Sequence, residues 1–342
     1  MPGHRSSDKV LVWLGNPFFR EYLARPGLRV FYDPYSPGGI YTLEDILELT
    51  GGVMPDAVLA ADVSAPPFVL GMEDFPCLTI FYAVDAHIHS WQPIYARGFD
   101  LCLVSLKEYL PNFAGGRTEG LSALHFPPYA ADGNRPPEPA PARDLDMVFV
   151  GTMNAERAPR RHAFLTELGE RFPSLHVAQG PFAALYARAK LILNESARGE
   201  LNFRVFEALG MGGCLLTPDI GPALSEFFTP GKELFTYPPH AVGPLVALAE
   251  RLLADDALRE RVGAAGLAAV DAGHRASRRA EAFAGVIRNL FASGRAEHAV
   301  AARLRAAPWI RRNFLRPLYL HHAESVGVDF MRDLYLEASK KR

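Results

Sequence analysis

The sequence predicts an α/β protein built from two doubly wound parallel sheets, and three observations carry that prediction. Short apolar runs bounded by turn residues alternate with segments of helical spacing along most of the chain. Between Ala130 and Arg143 the sequence changes to AADGNRPPEPAPAR, where the proline density allows neither a helix nor a central strand, and the alternation then starts again. Finally, Leu191 to Asp219 reads as one complete strand, loop, helix, strand unit. The expected organisation is a first domain over residues 1–135, a second over 136–292 that faces it across a cleft, and a helical tail over 293–342.

In the first half, Lys9 to Leu14 (KVLVWL) reads as a buried strand ending in the turn Gly15-Asn16-Pro17, and Arg29 to Tyr32 as a second covered strand. Thr42 is placed to cap a helix reaching Leu49. Ala57 to Ala60, Leu78 to Val84 and Leu101 to Ser105 are further strands, the last followed by a helix over Leu106 to Phe113. After the linker come a strand (Met147 to Val150), a helix (Arg160 to Glu170), a strand (His176 to Ala178) and a helix (Phe182 to Ala189). Helices over Val242 to Leu253 and Arg278 to Phe291 follow the central unit. The tail, with WIRRNFLRPLYLHH, could fold back on the first domain or form an interaction surface.

Composition narrows the function classes. The 342 residues are 49% apolar and 22% charged with a formal net charge of −2, which gives no general attraction to nucleic acid. No apolar run approaches the ~20 residues of a membrane span, and the start MPGHRSSDK does not read as a signal peptide. A cytoplasmic protein is expected, with the inner membrane face as an alternative peripheral location. Cys77, Cys102 and Cys214 lie in apolar runs without metal-ligand spacing and read as reduced core residues.

In the central unit, Phe203 to Met211 has helical spacing. Steps of about 100° put Val205, Phe206 and Leu209 on one side and Arg204 and Glu207 on the other. Asn202 is a good N-cap, and Gly210, Gly212 and Gly213 end the helix before the strand Cys214 to Thr217. A helix starting just beyond a buried parallel strand directs its free N–H groups and positive dipole at the crevice where such sheets bind phosphates, and Arg204 adds a formal charge there. The plain alternative is a surface ion pair between Arg204 and Glu207.

Four words here resemble the donor domain of GT-B glycosyltransferases, closest to the spore-maturation-protein-like group and more distantly to family 4. They are FVGT at 149–152, LYARAKLILNES at 185–196, NFRVFEALGMGG at 202–213 and the following LLTPDIGPALSEFF. FYAVDAHIHS at 81–90 and FDLCLVS at 99–105 add a weaker match. The resemblance implies a GT-B fold of two Rossmann-like domains and transfer of a sugar from a nucleoside diphosphate donor to an acceptor hydroxyl on a carbohydrate, lipid-linked or protein acceptor. It implies no metal and no cofactor besides the donor. Glu207 would accept hydrogen bonds from the ribose hydroxyls. Arg204 and the amides after Asn202 would hold the diphosphate, with Gly151, Thr152 and Arg157 contributing from the loop after the first strand. The family 4 pattern has a second glutamate where this chain has Gly199, with Glu200 one residue away; either Glu200 serves, or backbone groups and Asn194 grip the sugar.

Asp85, His87 and His89 follow a buried strand of the first half. An Asp or His there could act as general base or orient the acceptor, or could serve only the local turn. Asp144-Leu145-Asp146 resembles a metal-binding Asp-x-Asp but precedes a strand, and so reads as a solvated strand entry. The glycine pairs lack dinucleotide-fingerprint spacing. Two alternatives remain open: a scaffold that keeps the transferase fold without catalysis, and a UDP-sugar enzyme that transfers nothing, such as an epimerase.

Overall fold

The computed structural model describes residues 8–36, 38–114 and 123–340. These form two compact units, one running to Pro127 and resuming at Ala280, the other Pro128–Arg279.

The first unit holds β1 (Lys9–Gly15), β2 (Leu28–Asp33), β3 (Ala57–Ala61), β4 (Leu78–Ala83), β5 (Leu101–Val104) and β6 (Ala123–His125). Their order is β2-β1-β3-β4-β5-β6, and every pairing is parallel. All residues of β3 and β4 are buried, as uninterrupted apolar strands should be when helices cover both faces. β2 departs from the expectation of a covered strand: it lies at the sheet edge, and none of its residues is fully buried. The helix Leu43–Leu49 starts where predicted, with the Thr42 amide donating to Asp45 Oδ2 at 2.7 Å.

The tail belongs to this unit. It forms helices Arg295–Ile310, Arg316–Ser325 and Asp329–Lys340, the first two joined through a π turn at Arg311–Leu315. The buried Arg303 fixes it by donating to Asp100 Oδ1 at 2.9 Å and to the carbonyls of Met72, Phe75 and Cys77 at 2.6–2.8 Å. Arg311 pairs with Glu73 at 2.9 Å and also with Asp74. The unit resumes at Ala280, not at the expected 293, because Phe283 packs edge-on against Trp13 with centroids 6.1 Å apart.

The second unit holds β7 (Leu145–Val150), β8 (Leu175–Ala178), β9 (Ala189–Leu193), β10 (Leu215–Pro218) and β11 (Phe235–Tyr237), in the order β11-β10-β9-β7-β8 and again parallel in every pairing. It begins eight residues before the expected 136. Ala130 bridges Arg275, whose buried guanidinium donates to the carbonyls of Ala131 (3.1 Å) and Asn134 (2.8 Å), so the start of the linker is bound to this unit. The helix Phe203–Gly210 buries Val205, Phe206 and Leu209, as its spacing predicts. At its end Gly212 takes φ +66°, and a side chain on Gly213 would overlap Ile192. The helix Asp256–Gly273, with small residues through its middle, was not anticipated. Asp144 and Asp146 pair with Arg188 and Lys190, both at 2.6 Å, at the exposed entry of β7. The three cysteines are buried and form no disulfide.

Candidate functional site

In the second sheet the strand order reverses between β7 and β9. A doubly wound sheet opens its ligand crevice beyond the carboxyl ends of the strands at such a point. Gly151 and Thr152 leave β7 there, Asn194 and Glu195 leave β9, and the helix Phe203–Gly210 begins eight residues later.

Gly151 and Arg204 meet. A methyl group on Gly151 would lie 2.6 Å from Arg204 Nη1 and 2.8 Å from the Phe149 ring, so only glycine lets the guanidinium settle on this backbone. Arg204 Nε is buried and has no hydrogen-bond partner among the described residues. Arg204 and Glu207 form no ion pair there, although three residues apart on one helix. Burial raises the Glu207 carboxyl above its ordinary value, opposed by the charge of Arg204.

Asn202 corrects the expectation of a side-chain cap. It occupies the N-cap position with φ −98° and ψ 169°, but its side chain makes no cap bond to the first turn. It donates instead to Asn194 Oδ1 at 3.1 Å, and its own Oδ1 is buried without a partner. The helix therefore starts without a side-chain cap. Asn194 is a buried bracket: its Nδ2 donates to Thr217 Oγ1 at 3.0 Å, and Tyr237 Oη lies 2.9 Å from its carbonyl. Its side chain ties β9 to β10 and to the helix start.

Thr152 is exposed, as is Arg157, whose amide donates to Asn154 Oδ1 at 2.7 Å within a turn. A further cation, Arg161, which sequence reading missed, reaches this loop from the helix Pro159–Arg171. Its Nη2 donates to the Thr152 carbonyl at 2.8 Å, and its Nε is buried without a partner. Burial depresses its pKa and the charge of Arg204 depresses it further, with Glu200 and Glu195 opposing. Its position two residues into the helix Pro159–Arg171 gave no motif to find it by.

Glu200 turns into its own loop, accepting from the amides of Ala197 (3.3 Å) and Arg198 (2.8 Å). Glu195 was also missed. It is 2% exposed, accepts from Tyr237 Oη at 2.7 Å and lies 3.3 Å from His240 Nδ1. Burial raises its carboxyl above the ordinary value, with Tyr237, His240 and Arg161 countering. His240 adopts φ +60°, a conformation that costs a side-chain-bearing residue about 1–3 kcal/mol. Its place inside the word LILNES was the one available signal for Glu195.

Asp85, His87 and His89 lie beyond the carboxyl end of β4 in the first unit. Burial, and then the neighbouring Asp62 charge, raise the Asp85 carboxyl; a hydrogen bond from Ser64 and the nearby His87 and His89 pull the other way. Ser64 Oγ lies 2.9 Å from His89 Nε2. The organiser is Asp62, unnoticed in the sequence. Its Oδ2 accepts from the amides of Val84 (2.9 Å) and Asp85 (2.7 Å) and from Gln92 Nε2 (2.8 Å).

Residues 149–285 match the model of a family described as "Glycosyl transferase-like". The search of curated proteins finds no match. Among solved structures, sucrose-phosphate synthase from Thermosynechococcus elongatus is similar at TM-score 0.57 and 11% identity, covering 83% of this chain and 100% of that one. A glycosyltransferase from Rickettsia africae reaches 0.57 at 10% identity, with 83% and 99% covered. Anabaena Alr3699/HepE, in complex with UDP and glucose, reaches 0.55 at 12%, with 81% and 99% covered. The chain has the GT-B glycosyltransferase fold, and most of its second unit matches a glycosyl transferase-like domain.

Proposed function

We propose that this GT-B glycosyltransferase moves a sugar from a nucleoside diphosphate donor to an acceptor hydroxyl, without a metal. The observation that carries the reading is the pair of cations at the switch point: Arg204 lies against Gly151 and Arg161 reaches Thr152, each with a buried Nε that has no partner among the described residues. A buried donor without a partner costs about 1–3 kcal/mol, which a diphosphate oxygen would recover. The N-terminus of the helix Phe203–Gly210, which carries no side-chain cap, adds partial positive charge. Glu207, one turn along and unpaired, suits the ribose hydroxyls, since an ionised carboxylate only accepts hydrogen bonds.

In the reaction the acceptor oxygen bonds to the anomeric carbon as the bond from that carbon to the diphosphate breaks. The electron pair leaves with the diphosphate, whose added charge Arg204, Arg161 and the helix amides stabilise. The acceptor's proton passes to a base. Asp85 suits this role because burial raises its carboxyl toward neutrality, and His87 is the neighbouring candidate. UDP is the first nucleotide to test, because HepE is seen with UDP and glucose.

A panel of UDP, GDP, ADP, CMP and TDP in a melting experiment, with and without magnesium, tests the donor assignment. One diphosphate should raise Tm without metal, and Glu207→Ala should abolish the shift. A full shift in that variant would remove the ribose role, and no shift with any nucleotide would overturn the reading.

A further inference from the structure

Residues 298–323 contain no Asp or Glu and five arginines. Two of these, Arg303 and Arg311, point inward onto Asp100 and Glu73. The other three, Arg305, Arg312 and Arg316, lie on an exposed stripe that follows the continuous helical run from Arg295 to Ser325. The same stripe carries Leu304 (38% exposed), Trp309 (48%) and Leu320 (38%). From Leu304 to Leu320 it extends about 24 Å at 1.5 Å per residue.

Trp309 is held in place from within: its ring meets Phe314 edge-on at 5.1 Å, and Arg97 packs over the Phe314 ring at 5.7 Å. A fixed, half-exposed indole on the same helical run as two part-exposed leucines is apolar surface kept in water. On a chain of net charge −2, Arg312 and Arg316, exposed in a stretch without a carboxylate, form a local basic strip. Tryptophan favours the boundary between headgroups and acyl chains, and arginines beside it favour anionic headgroups.

We propose that this stripe is a membrane-docking face that seats the first unit on an anionic lipid surface, with Arg312 and Arg316 on the headgroups and Trp309, Leu304 and Leu320 at the acyl boundary. A helix in this role lies in the plane of the interface and need not cross the bilayer. No helix among the described residues is long and apolar enough to cross it. The inference is independent of the donor site.

The test is binding of the full chain to vesicles of phosphatidylcholine alone and of phosphatidylcholine with phosphatidylglycerol, followed by sedimentation and by tryptophan emission. Trp13 is buried, which leaves Trp309 as the most exposed of the chain's three tryptophans. Anionic vesicles should sediment the protein, shift its emission to the blue, and lose it again as salt shortens the screening length. Neutralising Arg312 and Arg316 together (R312Q/R316Q) should weaken binding about thirtyfold, from about 1 kcal/mol per cation, with Tm unchanged. Trp309→Ala should also weaken sedimentation. Equal binding by R312Q/R316Q, equal binding to the zwitterionic vesicles, or no binding at low salt would overturn the proposal. So would duplex DNA binding that the double variant loses while vesicle binding persists. Glu207→Gln should bind vesicles as the native protein does, which keeps this result separate from any failure of the donor reading.

Discussion

Two sets of arginines are buried in opposite ways. Arg303 in the tail spends its guanidinium on one carboxylate and three carbonyls, and Arg275 spends its own on Asp271 and on the carbonyls of Ala131, Asn134 and Gly210. At the switch point of the second sheet, Arg204 and Arg161 each keep a buried Nε with no partner among the described residues, and Glu207 is half-buried with no ion pair among them. Satisfied buried charge marks scaffold. Buried charge left unsatisfied raises the energy of the free protein and is tolerated where a ligand completes it.

The largest effect should come from the satisfied group. Arg303→Ala leaves Asp100 buried and uncompensated along with three carbonyls, and should cost about 3–5 kcal/mol of stability, read as a lower denaturant midpoint. Arg204→Ala should lower kcat about 10²–10³-fold while Tm stays near the native value, because no internal partner is lost. Comparable unfolding by the two variants would erase the distinction drawn here.

Glu207→Gln sharpens the comparison with a smaller effect of opposite sign. Burial raises the Glu207 pKa above its ordinary 4.5, so the folded chain holds this proton more tightly than the unfolded one does. That contribution is complete below about pH 4.5 and is lost as pH rises through the raised value. The glutamine variant should therefore melt higher than the native protein at neutral pH, with the gap closing toward pH 4. A variant that melts lower at pH 7 would show that the carboxylate supports the fold.

Much of the second unit was legible because its signals are local. Helical spacing placed Val205, Phe206 and Leu209 in the core, and the glycines after Leu209 marked the turn into β10. The Asp144 and Asp146 pairs lie at a strand entry, where their place before an apolar run put them. Arg161, Glu195 and Asp62 were missed for a shared reason. Each acts through groups distant in sequence, so no spacing rule identifies it: Arg161 on Thr152, Glu195 on Tyr237 and His240, Asp62 on Val84, Asp85 and Gln92. Asn202 shows the reverse error. Its residue type fits a cap, but Asn194 lies close enough to take its amide.

The sequence by itself determined the two parallel sheets, the central strand, loop, helix, strand unit, and the side of that helix on which Arg204 and Glu207 stand. These follow from periodicity and turn chemistry, which operate over a few residues. Tertiary structure alone decided that Arg204 lies on Gly151 with an open Nε, that Arg303 fixes the tail to the first sheet, and that Arg305, Arg312 and Arg316 remain outside with Trp309. The physical reason is that all five are arginines on helices. What separates ligand contact, core bracket and surface strip is which carboxylates and carbonyls the folded chain brings within hydrogen-bond reach.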